Sequence, residues 1–450
     1  MKRIFLKPAV IPAKQWSAMG VVLLAAALLL SGCSSHYRLM PTPEVYALGI
    51  EEPFTASLPA QLKTTDANIM YVTDRIAEPR EDGRLDYGLG RDHSQQIGEA
   101  VVNFGGDMGW EELAADARTG ERARALNLSI TSVKEITRAP TEFLTYYQAD
   151  GTVVMTEEAR AQLEVLTSTA YDMISARLAA SPRNEVLIYV HGIKTSFDKS
   201  LYTTAELWHY LGREFVPIAY SWPAGHPGLL RGYTYDRESS EFTVFHFKRF
   251  LAWLAQHPEV DGIHIISHSR GTGVVRTAIR ELTIEAHASG QLSEETYKLR
   301  NVVVAAPDIN LEVGLQRTVR EGALSAAERW TTYTSKNDMA IGASQWLFGG
   351  LRLGEAGVDT VSDAYRSWME SIPAASLAEG HAVIQYTGKA AGGLGHDYFR
   401  EDPAVASDLV LTVRYGRAPG AEHGRPLKHD SGFFFEIDDD YLESPDGDQD

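Results

Sequence analysis

The sequence has 450 residues, with 60 acidic against 42 basic side chains, a formal charge of −18, 44% hydrophobic residues and one cysteine. A balance that negative argues against nucleic acid or an anionic surface as a partner, and a lone thiol rules out an internal disulfide, so stability has to come from a core. The length implies a main domain with a substantial accessory segment.

The chain opens on Lys2, Arg3, Lys7 and Lys14, followed by an unbroken apolar or small run from Ala18 to Leu30. As a helix that run reaches about 20 Å, short of the roughly 30 Å hydrocarbon core of a bilayer, and it reads as the h-region of a signal peptide. Leu30-Ser31-Gly32-Cys33 resembles the lipobox of bacterial lipoproteins. The resemblance implies cleavage before Cys33, acylation of Cys33 and, with Ser34 in place of Asp, export to the outer membrane, facing the periplasm. An ordinary secretory signal with an incidental cysteine is the alternative. Loss of residues 1–32 makes the remainder four charges more negative.

Residues 33–60, with Pro41, Pro43 and Pro53, read as a tether. Short strands are predicted at Asn68 to Val72 and Glu99 to Phe104, with Gly83, Gly88 and Gly90 in the connection, and a β-branched segment runs from Leu126 to Ile136. Glu157 to Ala180 has the length and period of an amphipathic helix that stops before Pro182. From Glu185 the pattern becomes regular. Strands at 186–190, 216–220, 263–267, 301–305, 330–334 and 382–386 alternate with helical segments that include 201–211, 241–256 and 272–288. Such alternation predicts a mostly parallel sheet with helices on both faces, in which chemistry lies just beyond the carboxyl ends of the strands. Acidic residues crowd the last fifteen positions and read as a solvated tail; Asp446-Gly447-Asp448-Gln449-Asp450 lacks the bidentate ligand that a calcium loop needs. The divisions are thus a signal peptide (1–32), a tether (33–60), N-terminal strands and a helix joined to the main domain (61–180), a catalytic core (181–415) and an acidic tail (416–450).

After the 263–267 strand comes Ser267-His268-Ser269-Arg270-Gly271, opening directly into a helix. It resembles the G-x-S-x-G nucleophile elbow, with Ser267 in the first glycine position. A dinucleotide loop is the competing reading, but Arg276 stands where its third glycine or alanine belongs. A serine hydroxyl needs a base, and the base needs a carboxylate to fix its tautomer. Asp338 follows the 330–334 strand and His396 follows the last strand, in the order serine, acid, histidine that this elbow requires. Asp338 as a mere helix cap is the bland alternative, and Asp308, after the 301–305 strand, is the rival acid. His264 and His268 lack the helical face that metal ligation at that spacing needs, and no metal or cofactor is expected. His191-Gly192-Ile193, at the end of the 186–190 strand, resembles the segment that supplies one oxyanion N–H. That makes the backbone groups of Ile193 and Arg270 the candidate donors. The Gly/Pro-rich residues 223–235 are a candidate pocket wall or lid, built from Leu229, Leu230, Tyr233 and Tyr235, or else a packed connection in which Asp236 caps the next helix.

The segments Ile69 to Arg75, Val190-His191-Gly192, Ser221-Trp222-Pro223, Tyr235 to Ser239, His268-Ser269, Ala305 to Asp308, Ser335 to Asp338 and Gly395 to Phe399 together resemble a family of bacterial α/β hydrolases of unknown function. The resemblance implies an α/β-hydrolase fold over most of residues 66–400. Where the family usually has Met, this chain has Arg270, which implies a charged side chain beside the oxyanion site. The expectation is a membrane-tethered serine hydrolase acting on a carboxylic ester, thioester or amide of a small molecule or lipid. The alternatives are acyl transfer to an acceptor other than water and a catalytically silent envelope protein that binds a partner or lipid on the same fold.

Overall fold

Residues 186–190, Val-Leu-Ile-Tyr-Val, are apolar on both sides of the strand, and that composition suits only a strand covered on both faces. In the computed structural model, which describes residues 37–228, 230–360, 367, 380–389 and 394–442, this segment lies in the middle of a large sheet. Cys33 and the preceding signal sequence, Leu229 and residues 443–450 lie outside the described residues.

The sheet contains β1 (Asp66–Ala77), β2 (Tyr87–Phe104), β3 (Asn127–Arg138), β4 (Glu185–Val190), β5 (Val216–Ser221), β6 (Gly262–His268), β7 (Leu299–Ala305), β8 (Ala327–Ser335), β9 (His381–Tyr386), β10 (Lys428–Ser431) and β11 (Phe434–Ile437). Its order is β3-β2-β1-β5-β4-β6-β7-β8-β9-β11-β10. Pairing is parallel from β1 to β11 and antiparallel at the β1–β2–β3 side and between β10 and β11. The parallel register sets Thr73 opposite Ser221, Tyr220 opposite Val190, Val190 opposite Ser267, and His268 opposite Ala305. The carboxyl ends of these strands therefore form one row.

The helices that cover the sheet include α1 (Glu157–Ala180), α2 (Phe197–Tyr210), α3 (Leu230–Ala255), α4 (Gly271–Ala288), α5 (Met339–Phe348) and α6 (Pro403–Val413). Side-chain caps start four of them: Thr156 accepts from the Ala159 N–H, Ser196 from Lys199, Asp338 from Ala340 and Ile341, and Asp402 from Ala404 and Val405. Val186, Ile188 and Val190 pack into one core with Leu166, Ala170 and Ile174 of α1, Phe247 and Leu251 of α3, and Val274 and Ala278 of α4. Tyr189, pointing the other way, stacks on Phe399. Among the described residues no helix is long and apolar enough to cross a membrane.

Four expectations change. Gly88 and Gly90 lie inside β2, an 18-residue strand, and not in a connection; glycine within a strand marks close approach of a neighbour. Helix α3 begins at Leu230, within the segment expected to be a loop. Its first turns carry Asp236, Ser239, Ser240 and Thr243 on the buried side, so the apolar period is missing where hydrogen bonding to neighbours replaces it.

The predicted tether is folded onto the body from Leu39 onward. Leu39, Met40, Val45, Tyr46, Phe54 and Leu58 are buried. The Met40 N–H donates to Glu206 at 3.0 Å, the Val45 N–H to Ser407 Oγ at 3.0 Å, and Tyr46 Oη to the Tyr210 carbonyl at 2.6 Å. The described part of the acidic tail is likewise structured: β10 and β11 extend the sheet, Phe434, Ile437 and Tyr441 are buried, and the Tyr441 hydroxyl donates to Asp408 at 2.6 Å. Prolines and acidic residues concealed apolar side chains spaced too irregularly to show a period.

Removing the Tyr46 side chain leaves a cavity and deletes one of the acceptors of the buried Arg414 guanidinium, which donates to its hydroxyl at 2.9 Å. Tyr46→Ala should lower unfolding free energy by about 3–5 kcal/mol, seen as a lower urea midpoint at unchanged slope. A midpoint equal to that of the unsubstituted protein would mean that this segment is a tether after all.

Candidate active site

Strand β6 passes into α4 through His268, Ser269 and Arg270, and the turn is tight enough to force Ser269 to a φ of +51°. That conformation costs a residue with a side chain about 1–2 kcal/mol, so the surroundings must impose it. The Ser269 N–H donates to the Ala305 carbonyl of β7 at 2.9 Å, while the Ser269 carbonyl accepts from the Thr272 N–H at 3.2 Å and the Thr272 hydroxyl at 2.6 Å. Ser267, in place of the first glycine of the elbow, donates its hydroxyl to the Val303 carbonyl at 2.9 Å, so the extra polar atom is satisfied within the sheet. Lys194, beyond β4, and Ala306, beyond β7, also have positive φ, +54° and +47°. The backbone is thus left-handed just past the ends of β4, β6 and β7.

Asp338 uses its two oxygens for different purposes. Oδ1 accepts from the Ala340 and Ile341 N–H groups, each at 3.0 Å, and caps α5; Oδ2 accepts from His396 Nδ1 at 2.6 Å. The helix cap and the carboxylate that holds the His396 ring are therefore one residue. With its proton on Nδ1, the His396 ring leaves Nε2 as a bare acceptor. Burial pulls the His396 pKa down, but the hydrogen bond and charge of Asp338 outweigh it, and the net shift is upward.

Asp308, the rival acid, is engaged elsewhere. Its carboxylate accepts from Tyr233 Oη at 2.5 Å and Ser344 Oγ at 2.6 Å, and Arg352 lies 3.6 Å away. It braces the start of α3 against α5. Ser269 is buried at 4% exposure, and its neighbour His268 has its ring 4.6 Å from that of His396. Ser269 Oγ and His396 are not joined by a hydrogen bond; the hydrogen bonds of His396 go to Asp338 and His268.

Of the oxyanion candidates, Arg270 follows the serine in the elbow and Ile193 sits on a loop pressed against it. A Cβ on residue 192 would fall 2.7 Å from Ser269 Cβ and 3.3 Å from its Oγ, so only glycine fits. The Lys194 N–H is occupied by Asp236 Oδ2 at 2.9 Å; among the described residues no acceptor takes the N–H of Ile193 or Arg270. The Arg270 side chain does not lie free beside this site. Its guanidinium donates to Ser240 Oγ at 3.1 Å, Glu241 at 2.9 Å and the Asp308 carbonyl at 3.4 Å.

The expected pocket wall is the first turns of α3. Leu230 is exposed, Tyr233 is held by Asp308 and Tyr235 donates to the Leu89 carbonyl at 3.1 Å; Leu229 lies outside the described residues. Asp236 is no cap. Buried within α3, it accepts from the backbone N–H groups of Lys194, Gly225 and His226 and so ties two loops to the helix.

Sequence reasoning assigned no role to Arg75, His191 or Trp222, although all three stood in quoted motifs. Arg75 is fully buried and donates to the Gly88, Ala224 and Thr195 carbonyls, to Ser221 Oγ and to His191 Nε2. His191 Nδ1 donates to the Gly192 carbonyl at 2.8 Å, its Nε2 accepts from the Trp222 N–H at 3.1 Å, and its carbonyl accepts from the Trp222 indole at 2.6 Å. Burial, then the Arg75 charge, hold the His191 pKa well below the usual range, so this ring stays neutral. The available signal was a charged residue, Arg75, inside a strand shortly after its apolar run.

Among the described residues no group of three or more His, Cys, Asp or Glu side chains is placed to hold a metal ion. His264 is bound to Glu185 and Asn301 within the sheet. A cleft of about 560 Å³ lined by Glu51, Arg183, Glu214, Arg414 and Tyr415 opens at the amino ends of the strands, away from Ser269. Glu214 pairs there with Arg183 and Arg414, and Glu51 with Arg417.

No curated protein matches the chain. Among solved structures it is similar to an esterase of Pyrobaculum calidifontis in a monoclinic form, at 10% identity over 52% of this chain and 78% of that one with a TM-score of 0.27. It is similar also to a structure described as the hyperthermophilic esterase from that archaeon, at 11% identity over 52% and 76% with a TM-score of 0.24. The family described as alpha/beta hydrolase of unknown function (DUF900) matches residues 167–414, a span that contains Ser269, Asp338 and His396 and the strands that carry them, and the chain belongs to that family.

Proposed function

We propose that this protein is a serine hydrolase that cleaves a carboxylic ester, or by the same chemistry a thioester or amide, through an acyl-enzyme. The observation that carries the reading is the 2.6 Å bond from His396 Nδ1 to Asp338, formed beside the left-handed turn at Ser269. Ser269 Oγ attacks the carbonyl carbon while His396 Nε2 takes its proton. The N–H groups of Ile193 and Arg270 donate to the oxyanion of the tetrahedral intermediate. His396 then gives the proton to the leaving group, and water, activated by the same ring, releases the acid.

A fluorophosphonate probe should label the purified protein on Ser269, and Ser269→Ala should remove the label. Label retained by the Ala variant would sink the assignment, and no label on either protein would favour the silent hydrolase-fold reading.

The upward shift of His396 sets the pH dependence. Only neutral His396 accepts the serine proton, so kcat/KM should rise with pH through an apparent pKa above about 6.5. Stability runs the other way. The contribution from the protonated ring is complete below the unfolded pKa and is lost as pH rises through the folded one. A kcat/KM that is flat from pH 5 to 9, measured on p-nitrophenyl butyrate, would count against His396 as base.

We propose further that Cys33 is lipidated and anchors the enzyme to a membrane, on the strength of the Leu30-Ser31-Gly32-Cys33 sequence. Growth with radiolabelled palmitate in a bacterial host should label the full chain and not Cys33→Ser. Equal incorporation in both would remove this cysteine as the anchor.

A further inference from the structure

We propose that His268, the residue preceding Ser269, is a positioning residue that aims His396; this rests on the serine-hydrolase reading. His268 Nε2 lies 3.2 Å from the backbone carbonyl of His396 and donates to it. The same nitrogen is 3.6 Å from Asp397 Oδ1, and Asp397 in turn faces Lys199 Nζ at 3.5 Å. The His268 ring is buried, packed 4.6 Å from the ring of His396 and 4.9 Å from that of Phe399. Its other nitrogen, Nδ1, points at the oxyanion loop, 3.3 Å from where a Cβ on residue 192 would stand. One side chain on the elbow thus touches the histidine loop and abuts the loop of the oxyanion candidates.

The histidine loop needs such a hold. It reaches His396 through Leu394 and Gly395, the latter at a φ of +63°, and glycine there leaves the backbone free to rotate. The Met339 N–H holds the Leu394 carbonyl at 3.0 Å and Asp338 holds the His396 ring. Neither fixes the peptide plane that follows His396. The His268 donor does, and two fixed points, ring nitrogen and carbonyl, determine where Nε2 aims. Burial, then the nearby His396, push the His268 pKa down to about 3. The ring therefore stays neutral and keeps one tautomer: the carbonyl requires the proton on Nε2.

Three variants separate hydrogen bonding from packing. His268→Phe keeps the ring and loses the donor. In His268→Gln the amide nitrogen comes near the position of Nε2, and in His268→Asn it falls short. The readout is the kinetics of Ser269 labelling by the fluorophosphonate, with thermal unfolding as the check on folding. The Phe and Asn variants should label about tenfold to a hundredfold more slowly at saturating probe, with half-saturation within about twofold of the unsubstituted protein, as expected for misaim of a reacting group. Gln should recover most of the loss relative to Asn. Equal rates for Gln and Asn overturn the proposal even if Phe fails to fold, and so does a Phe variant as fast as the unsubstituted protein. Either result leaves the serine-hydrolase reading standing, because that reading falls only when the unsubstituted protein is not labelled on Ser269.

Discussion

The guanidinium of Arg75 is the buried charge around which the mouth of the sheet is arranged. A fully buried cation is tolerable only when each of its donors meets an acceptor. Here the acceptors are the carbonyls of Gly88, Thr195 and Ala224, the Ser221 hydroxyl and the bare nitrogen of His191. Burial draws the Arg75 pKa down to about 10, still above neutral pH, so the charge persists. The loops beyond β4 and β5 are fixed because this charge needs their carbonyls. The dependence also explains why the N-terminal strands cannot be separated from the remainder: β1 carries Arg75, and β1 is hydrogen-bonded directly to β5.

From that fixed point the strain at the strand ends becomes affordable. Left-handed backbone at Lys194, Ser269 and Ala306 would relax if its hydrogen bonds were weak. Each is instead held from a neighbouring element: Lys194 by Asp236 of α3, Ser269 by the carbonyl of Ala305, and Ala306 by the carbonyl of Tyr333. Two of these bonds link one strand end to the next, so the parallel register itself carries the strain across the sheet. Gly192 and Gly271 complete the arrangement by being absent as side chains: a Cβ on residue 271 would stand 2.2 Å from the His191 carbonyl oxygen.

The legibility of the sequence followed the same physics. Strands buried on both faces, such as residues 186–190 of β4, have to be apolar throughout, and helices against them have to show a period, so the core of the sheet and α1, with its bounds at Glu157 and Ala180, could be read directly. The segments misread are those in which polar groups face inward and find partners. The first turns of α3 bury Asp236 and Ser239, and the N-terminal segment enters the body through backbone bonds to Glu206 and Ser407; no periodicity in one sequence announces such pairs. Ser269, Asp338 and His396 stood out as candidates because each follows an apolar run. Arg75 and His191 follow apolar runs too, but their partners are mostly backbone atoms, which leave no mark in side-chain identity.

Asp338 divides its two oxygens between a helix end and an imidazole. As a cap it accepts two N–H groups from the start of α5, where the helix dipole favours negative charge. Those bonds go to one oxygen and leave the other for His396 Nδ1. The two bonds to the helix fix the carboxylate's rotamer, so the oxygen that faces His396 Nδ1 is held in place. The cap therefore fixes the acceptor for the Nδ1 proton, the tautomer that keeps His396 Nε2 bare. A free surface aspartate could hold the ring, but water would compete for its second oxygen and its rotamer would not be fixed. Setting the acid at the first turn of a helix that begins where β8 ends gives the carboxylate its direction from the backbone itself. The position of Asp338 in the sequence, immediately after a strand and immediately before a helix, is in this sense part of its chemistry.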